Sequence, residues 1–238
     1  MNKQLLDILT AIAAIATIIA TLLAFLKVIG EIGKRKKIEK LKREIKEKTD
    51  AIVQSFRPNN IIIDASSTKD LQLIKDFQIA VLESIMHWNS ISTMESISNF
   101  NILNASQLLS AKSDQLNTIN KFEGEINKAI KILKDISDYG RTNNINYYLP
   151  KQDKLAALGT KQFNRMVATA KINQDVTGNI LRLLKKYPSG PIPRKKIIKA
   201  VKLLDKYNTM DTTLAYLNDF YSFCAENNAA FMQYFTVH

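Results

Sequence analysis

The chain has 238 residues, a single cysteine and a formal net charge of +12. One cysteine excludes an intrachain disulfide scaffold. Cys224, His87 and His238 are too few and too scattered to predict a Cys/His zinc site. Seven Gly and five Pro are too few for a loop-rich all-β chain. The composition is compatible with an ordinary hydrophobic core, and the helical spacing of the apolar residues described below predicts an all-α protein.

Residues 8–26 form an apolar run that contains no charge, Gly or Pro. At about 1.5 Å per residue the run spans roughly 28 Å, close to the hydrocarbon thickness of a bilayer. A cleaved secretory signal and a buried core helix are the alternatives. A signal would have a shorter apolar region and a small-residue cleavage site, whereas a charged segment follows here. We expect a transmembrane anchor within residues 1–29.

The charges that flank this run predict its orientation. Residues 27–48 hold ten basic and four acidic residues, whereas the other flank has only Lys3 and the terminal amine against Asp7. The positive-inside rule then places the N-terminus outside and the rest of the chain in the cytoplasm. A composition rich in Asn, Lys and Ile is in keeping with an AT-rich bacterial genome, so the expected location is a bacterial inner (cell) membrane.

The expected transmembrane helix has two unlike faces. Large aliphatic residues recur along one face, and small or hydroxylated residues recur along the other: Thr10, Ala14, Thr17, Thr21 and Ala24. Small residues allow helices to approach closely in lipid, and Thr can donate hydrogen bonds between helices. The small face is therefore a candidate surface for homo-oligomers, and for a pore if the assembly encloses water. Alternatively, each Thr hydroxyl bonds to its own helix.

Residues 30–58 are expected to continue the transmembrane helix as a basic juxtamembrane helix that ends near Pro58. Apolar residues on one stripe predict its buried face: Ile38, Leu41, Ile45, Ile52 and Phe56, with Thr49 in the gap. The basic run Lys34, Arg35, Lys36 and Lys37 is a candidate contact for anionic lipid. It could equally serve only to fix topology.

Residues 59–238 are expected to form a cytoplasmic bundle of about five helices. The first follows the apolar spacing from Leu71 to Trp88, with a break or distortion between residues 89 and 104. The second should close at Gly140, and the third should cover about 153–187 and carry Leu155, Leu158, Phe163, Val167 and Leu181. A short helix follows the PSGPIP turn, and the last, from about 210 to 235, is aromatic and contains Cys224.

The usual catalytic signatures are missing from the sequence. It has no phosphate loop, no GxGxxG, no GxSxG and no HExxH. None of Arg141, Arg165, Arg182 and Arg194 is followed by a His after four to six residues, a pattern found in helical ribonucleases of prokaryotic immunity. We therefore expect no enzyme activity and no cofactor or metal.

A second basic cluster lies between residues 182 and 206, where Asp205 is the only acid. Like charges repel, so this density predicts either a solvated face or an anionic partner. Anionic lipid, nucleic acid and a phosphorylated small ligand are the alternatives for that partner. The cluster straddles the PSGPIP turn and consists of Arg182, Lys185, Lys186, Arg194, Lys195, Lys196, Lys199, Lys202 and Lys206.

The predicted layout joins one N-terminal span to a helical domain. It resembles membrane-anchored accessory and effector proteins of prokaryotic antiviral systems. That resemblance implies an effector that homo-oligomerises and perturbs or permeabilises the inner membrane. The alternative is a membrane-tethered adaptor or scaffold that binds a protein or an anionic partner, with the span as a passive anchor.

Overall fold

The computed structural model describes residues 30, 32–56, 69–96, 105–143, 152–187, 192–208 and 211–237. They form helices α1 (32–55), α2 (Lys69–Ser96), α3 (Ala105–Thr142), α4 (Gln152–Lys186), α5 (Arg194–Asn208) and α6 (Asp211–Val237). The chain divides into two compact units, Met1–Arg43 and Glu44–His238, with the boundary inside α1. The predicted all-α class is confirmed, and the second unit is a helical bundle.

The apolar run at residues 8–26 lies outside the described residues. Among the helices of the described ranges, none combines the length and apolarity needed to cross a bilayer. In the first unit the described residues 32–43 are helical, and the side chains of Lys34, Arg35, Lys36 and Lys37 are exposed.

The second half of α1 belongs to the core of the second unit. Ile45, Thr49, Ile52 and Phe56 are all buried, as their spacing of four, three and four residues along one face predicts. Thr49 is accommodated because its hydroxyl donates to the Lys46 carbonyl at 2.9 Å. The helix ends just before Phe56, whose amide still donates to the Ile52 carbonyl.

Helices α2 and α3 form the most extensive helix pair in the described part of the bundle. Their predicted apolar stripes meet, and the rings of Trp88 and Phe122 lie 5.7 Å apart. The predicted break in α2 does not begin at residue 89, because the helix continues through Ser96. Residues 97–104 lie outside the described residues.

Helix α6 is the central helix of the core. Phe220, Tyr221, Phe223 and Cys224 are fully buried, so burial extends around more than one face of the helix. Such all-round burial is typical of a helix enclosed by others. Phe77 of α2 connects α6 to α1, because its ring centroid lies 6.2 Å from that of Phe231 and 6.0 Å from that of Phe56.

The predicted apolar face of α4 is confirmed only at its start, where Leu155 and Leu158 are buried. Phe163, Val167 and Leu181 are 65%, 54% and 61% exposed. The buried side chains instead fall at steps of three, four and seven residues, and two of them are polar: Leu155, Leu158, Gln162, Thr169 and Val176. Of the two polar side chains, Gln162 is buried against Glu123 of α3, and Thr169 is buried where α4 faces α6.

Helix α5 packs against the end of α4. Ile192 and Ile197 form a small cluster with Leu183 and Tyr187. The Pro193 carbonyl accepts from the amides of Lys196 at 2.8 Å and Ile197 at 3.4 Å, which starts the helix. This packing places the start of α5 beside the end of α4.

Candidate functional site

The basic residues predicted on either side of the PSGPIP turn lie at the end of α4 and along α5. All nine side chains are exposed, and we call them the basic surface: Arg182, Lys185, Lys186, Arg194, Lys195, Lys196, Lys199, Lys202 and Lys206. Arg182 Nη1 donates a hydrogen bond to Asn179 Oδ1 at 3.1 Å. Arg194 has a further interaction within the molecule.

The helix dipoles affect the two parts of the basic surface differently. Lys185 and Lys186 lie in the last turn of α4, where a helix end favours positive charge. Arg194, Lys195 and Lys196 lie in the first turn of α5, which has no acidic residue and where the helix dipole favours anions. The three cations at the start of α5 therefore do not stabilise the helix through its dipole. A bound anion at this position would be stabilised by it.

The structure describes only one of the two other predicted sites. The proposed assembly face, Thr10, Ala14, Thr17, Thr21 and Ala24, lies outside the described residues. The proposed lipid contacts at Lys34, Arg35, Lys36 and Lys37 are exposed on a helix, in the unit Met1–Arg43.

A buried polar cluster between α3, α4 and α6 was not predicted. Arg165 Nη2 donates to Glu123 Oε1 at 2.8 Å, and the two side chains are only 11% and 4% exposed. Gln162 Nε2 donates to Glu123 Oε2 at 2.5 Å and to the Glu123 carbonyl at 3.2 Å. On the other side, the Arg165 guanidinium lies 4.9 Å from the centre of the Tyr216 ring. The cluster therefore connects three helices through one ion pair.

A cavity of about 480 Å³ lies beside this cluster, between α4 and α6. Its lining includes Arg165 and Tyr216 of the cluster, together with Ala168, Ile172 and Ala215. Lys161 and Asp219 also line it, and their side chains form an ion pair of 3.7 Å at the exposed surface. Its size is within the range of pockets that hold small molecules.

Two hydroxyl groups on the cavity lining are buried without a hydrogen-bond partner in the part of the chain that the structure describes. They are Tyr216 OH and Thr169 Oγ1, on residues that are each 4% exposed. Burial raises the pKa of the Tyr216 hydroxyl, and the nearby Arg165 guanidinium offsets only part of that rise. Tyr216 therefore remains a neutral hydroxyl that can donate a hydrogen bond.

The arrangement offers binding groups rather than reactive ones. Burial raises the pKa of the Cys224 thiol well above its usual range, so the thiolate that would act as a nucleophile is disfavoured. Across the described ranges, no group of three or more His, Cys, Asp or Glu could hold a metal ion. Comparison with known proteins finds no matching family model, no similar curated protein and no similar solved structure.

Proposed function

We propose that the chain is a single-pass membrane effector. In this proposal residues 8–26 anchor it in the inner membrane with the N-terminus outside, and copies assemble through the face of Thr10, Ala14, Thr17, Thr21 and Ala24. The assembly perturbs or permeabilises the membrane as part of a prokaryotic antiviral defence system. The bundle of residues 44–237 is then the cytoplasmic domain that senses a signal.

The observation that carries this proposal is the uncharged apolar run of residues 8–26, and the structure adds how the following helix α1 is held in the bundle. Lys48 Nζ donates to Asn218 Oδ1 and Ser222 Oγ of α6, each at 2.6 Å. With Ile52 buried on this helix and Phe56 buried just after it, α1 cannot leave α6 without exposing apolar surface and breaking these bonds. Along the sequence, α1 begins a few residues after the apolar run, so in this proposal the bundle follows the anchor directly in the chain.

The mass of the full chain in mild detergent tests the assembly step. We expect an oligomer, and we expect the double variant Ala14→Leu/Thr17→Leu to be monomeric, because Leu holds the helices apart and Thr17 loses its hydroxyl. Ile15→Leu/Ile19→Leu changes the opposite face at equal volume and is the matched control. A strictly monomeric wild-type chain would contradict the proposal.

The basic surface favours a second candidate, a membrane-tethered adaptor that binds an anionic partner. Nine exposed cations lie at the end of α4 and along α5, which packs against that end, and three of them oppose the dipole at the start of α5. A dense run of like charges costs free energy unless an anion or solvent screens it. Under this candidate the span is only an anchor.

Retention on a heparin column tests the second candidate with the full chain. The triple variant Lys195→Gln/Lys196→Gln/Lys199→Gln should elute at clearly lower salt than the wild type, because each lost contact lowers the salt dependence of binding. Lys131→Gln/Lys134→Gln removes two exposed cations from α3 and is the control. Equal elution of the triple variant and the control would rule out a specific role for this surface.

A further inference from the structure

The cavity between α4 and α6 has the composition of a binding site for a small amphipathic molecule. Ala168, Ile172 and Ala215 supply apolar wall, and the ring of Tyr216 adds a flat aromatic surface. At about 480 Å³ it can enclose a ligand of two fused rings or a comparable aliphatic chain. The wall therefore suits the apolar part of a ligand. The polar groups of the lining indicate which polar group the ligand carries.

Two buried hydroxyls indicate that the ligand carries a hydrogen-bond acceptor. Thr169 Oγ1 and Tyr216 OH make no hydrogen bond to any residue that the structure describes, although each residue is 96% buried. Buried polar groups are almost always paired, so an unpaired hydroxyl on a cavity lining points to a partner from outside the chain. Both oxygens are covered from solvent, so binding requires a small side-chain movement at the cavity wall.

The two hydroxyls favour an anionic acceptor over a neutral one, because a charged acceptor forms the stronger hydrogen bond. The charges of the lining are themselves balanced, since Lys161 pairs with Asp219 and Arg165 pairs with Glu123 of α3. The Arg165 guanidinium is fixed by Glu123 on one side and by the Tyr216 ring on the other, so it stays at the cavity when a ligand enters. An ammonium group cannot accept a hydrogen bond from either hydroxyl.

We propose that this cavity binds a small carboxylate with an apolar body. The carboxylate accepts hydrogen bonds from the Tyr216 and Thr169 hydroxyls beside Arg165, and the apolar part packs against Ala168, Ile172 and Ala215. This inference does not depend on the proposed membrane function, because binding can be measured whether or not the chain assembles or permeabilises a bilayer.

The test uses 2-naphthoate as the probe, with the full chain in lipid nanodiscs and protein-free nanodiscs as background. Equilibrium dialysis should show saturable binding of 2-naphthoate. 2-Naphthamide should bind at least about fivefold more weakly, because a charged acceptor forms the stronger hydrogen bond. The cation 2-naphthylmethylammonium should show no saturable binding. No saturable binding of naphthoate, or equal binding of the three probes, would overturn the proposal.

Two kinds of variant locate the binding. Ala215→Leu fills the cavity and should weaken naphthoate binding at least about tenfold, whereas Ala229→Leu, at an exposed position of the same helix, should leave it unchanged. Tyr216→Phe and Thr169→Val each remove only the hydroxyl and should weaken binding about three- to tenfold. Equal binding by the Ala215→Leu and Ala229→Leu variants would place the probe elsewhere and contradict the proposal.

The melting temperature separates a ligand-binding hydroxyl from a structural one. If the Tyr216 hydroxyl has no partner in the protein, Tyr216→Phe should keep or raise the melting temperature of the ligand-free chain while it weakens naphthoate binding. A variant that melts several degrees lower would show that the hydroxyl is bonded within the protein, and would overturn its assignment to the ligand.

Discussion

At the scale of single residues, the most informative feature is the ion pair of Glu123 and Arg165. Charged side chains are rarely buried unless they are paired, and here Gln162 and the Tyr216 ring complete the surroundings of the pair. The sequence alone could not predict this cluster. Residues 123 and 165 are far apart in the chain, and only the packing of α4 on α3 and α6 brings them together.

The first prediction concerns this pair. Arg165→Met should lower the free energy of unfolding by about 3–5 kcal/mol, because Glu123 stays buried without its cation. The double variant Glu123→Leu/Arg165→Met should recover most of that loss, since neither charge then remains buried. Denaturant titration of the wild type, both single variants and the double variant measures the coupling. Additive losses would show that the two side chains do not act as a pair.

Glu125 provides a prediction about pH. Burial, together with the adjacent Glu83 carboxylate, raises the pKa of Glu125 above its ordinary value of 4.5, and Lys128 offsets part of the rise. The folded state therefore holds this proton more tightly than the unfolded state. The resulting stabilisation is present below about pH 4.5 and is lost as the pH rises through the folded-state pKa.

Glu125→Gln should accordingly stabilise the protein at pH 7, by less than about 1 kcal/mol because the group is partly exposed. Below pH 4 the gain should disappear. The exposed carboxylate of Asp175 gives the control, Asp175→Asn. Melting curves at pH 7 and below pH 4 measure this difference. A loss of stability at pH 7 would show that the contact with Lys128 outweighs the repulsion from Glu83.

At the scale of helices, the sequence predicted the apolar faces of α1 and α2 but not that of α4. In α1 the polar Thr49 sits on an otherwise apolar stripe and bonds its own helix, so periodicity finds the face. In α4, Gln162 and Thr169 are buried, whereas Phe163 and Val167 are exposed. Hydrophobicity could not identify that face, because it depends on Glu123 of α3 and on the spacing between α4 and α6.

The helix prediction concerns Lys48. Lys48→Met should lower the free energy of unfolding by about 1–3 kcal/mol, because its ammonium donates to Asn218 and Ser222 at 2.6 Å. Lys46→Met, on the exposed side of the same helix, should change it by less than about 0.5 kcal/mol. Similar effects of the two variants would mean that the bond between α1 and α6 does not stabilise the bundle.

At the scale of the whole molecule, the chain combines a helical bundle with an apolar run that we propose is a membrane anchor. The +6 charge over residues 27–48 predicts that the bundle lies in the cytoplasm. A reporter fused after His238 should therefore be active in the cytoplasm, and one fused before Met1 should be active outside. External protease that digests the bundle in intact cells would contradict this topology.

The most direct test of the central claim is the membrane potential of bacteria that express the full chain. We expect the wild type and the Ile15→Leu/Ile19→Leu control to depolarise the membrane, whereas Ala14→Leu/Thr17→Leu, expressed at the same level, does not. Depolarisation by a monomeric Ala14→Leu/Thr17→Leu variant would contradict assembly through the small face. A potential unchanged by all three chains would contradict the effector itself.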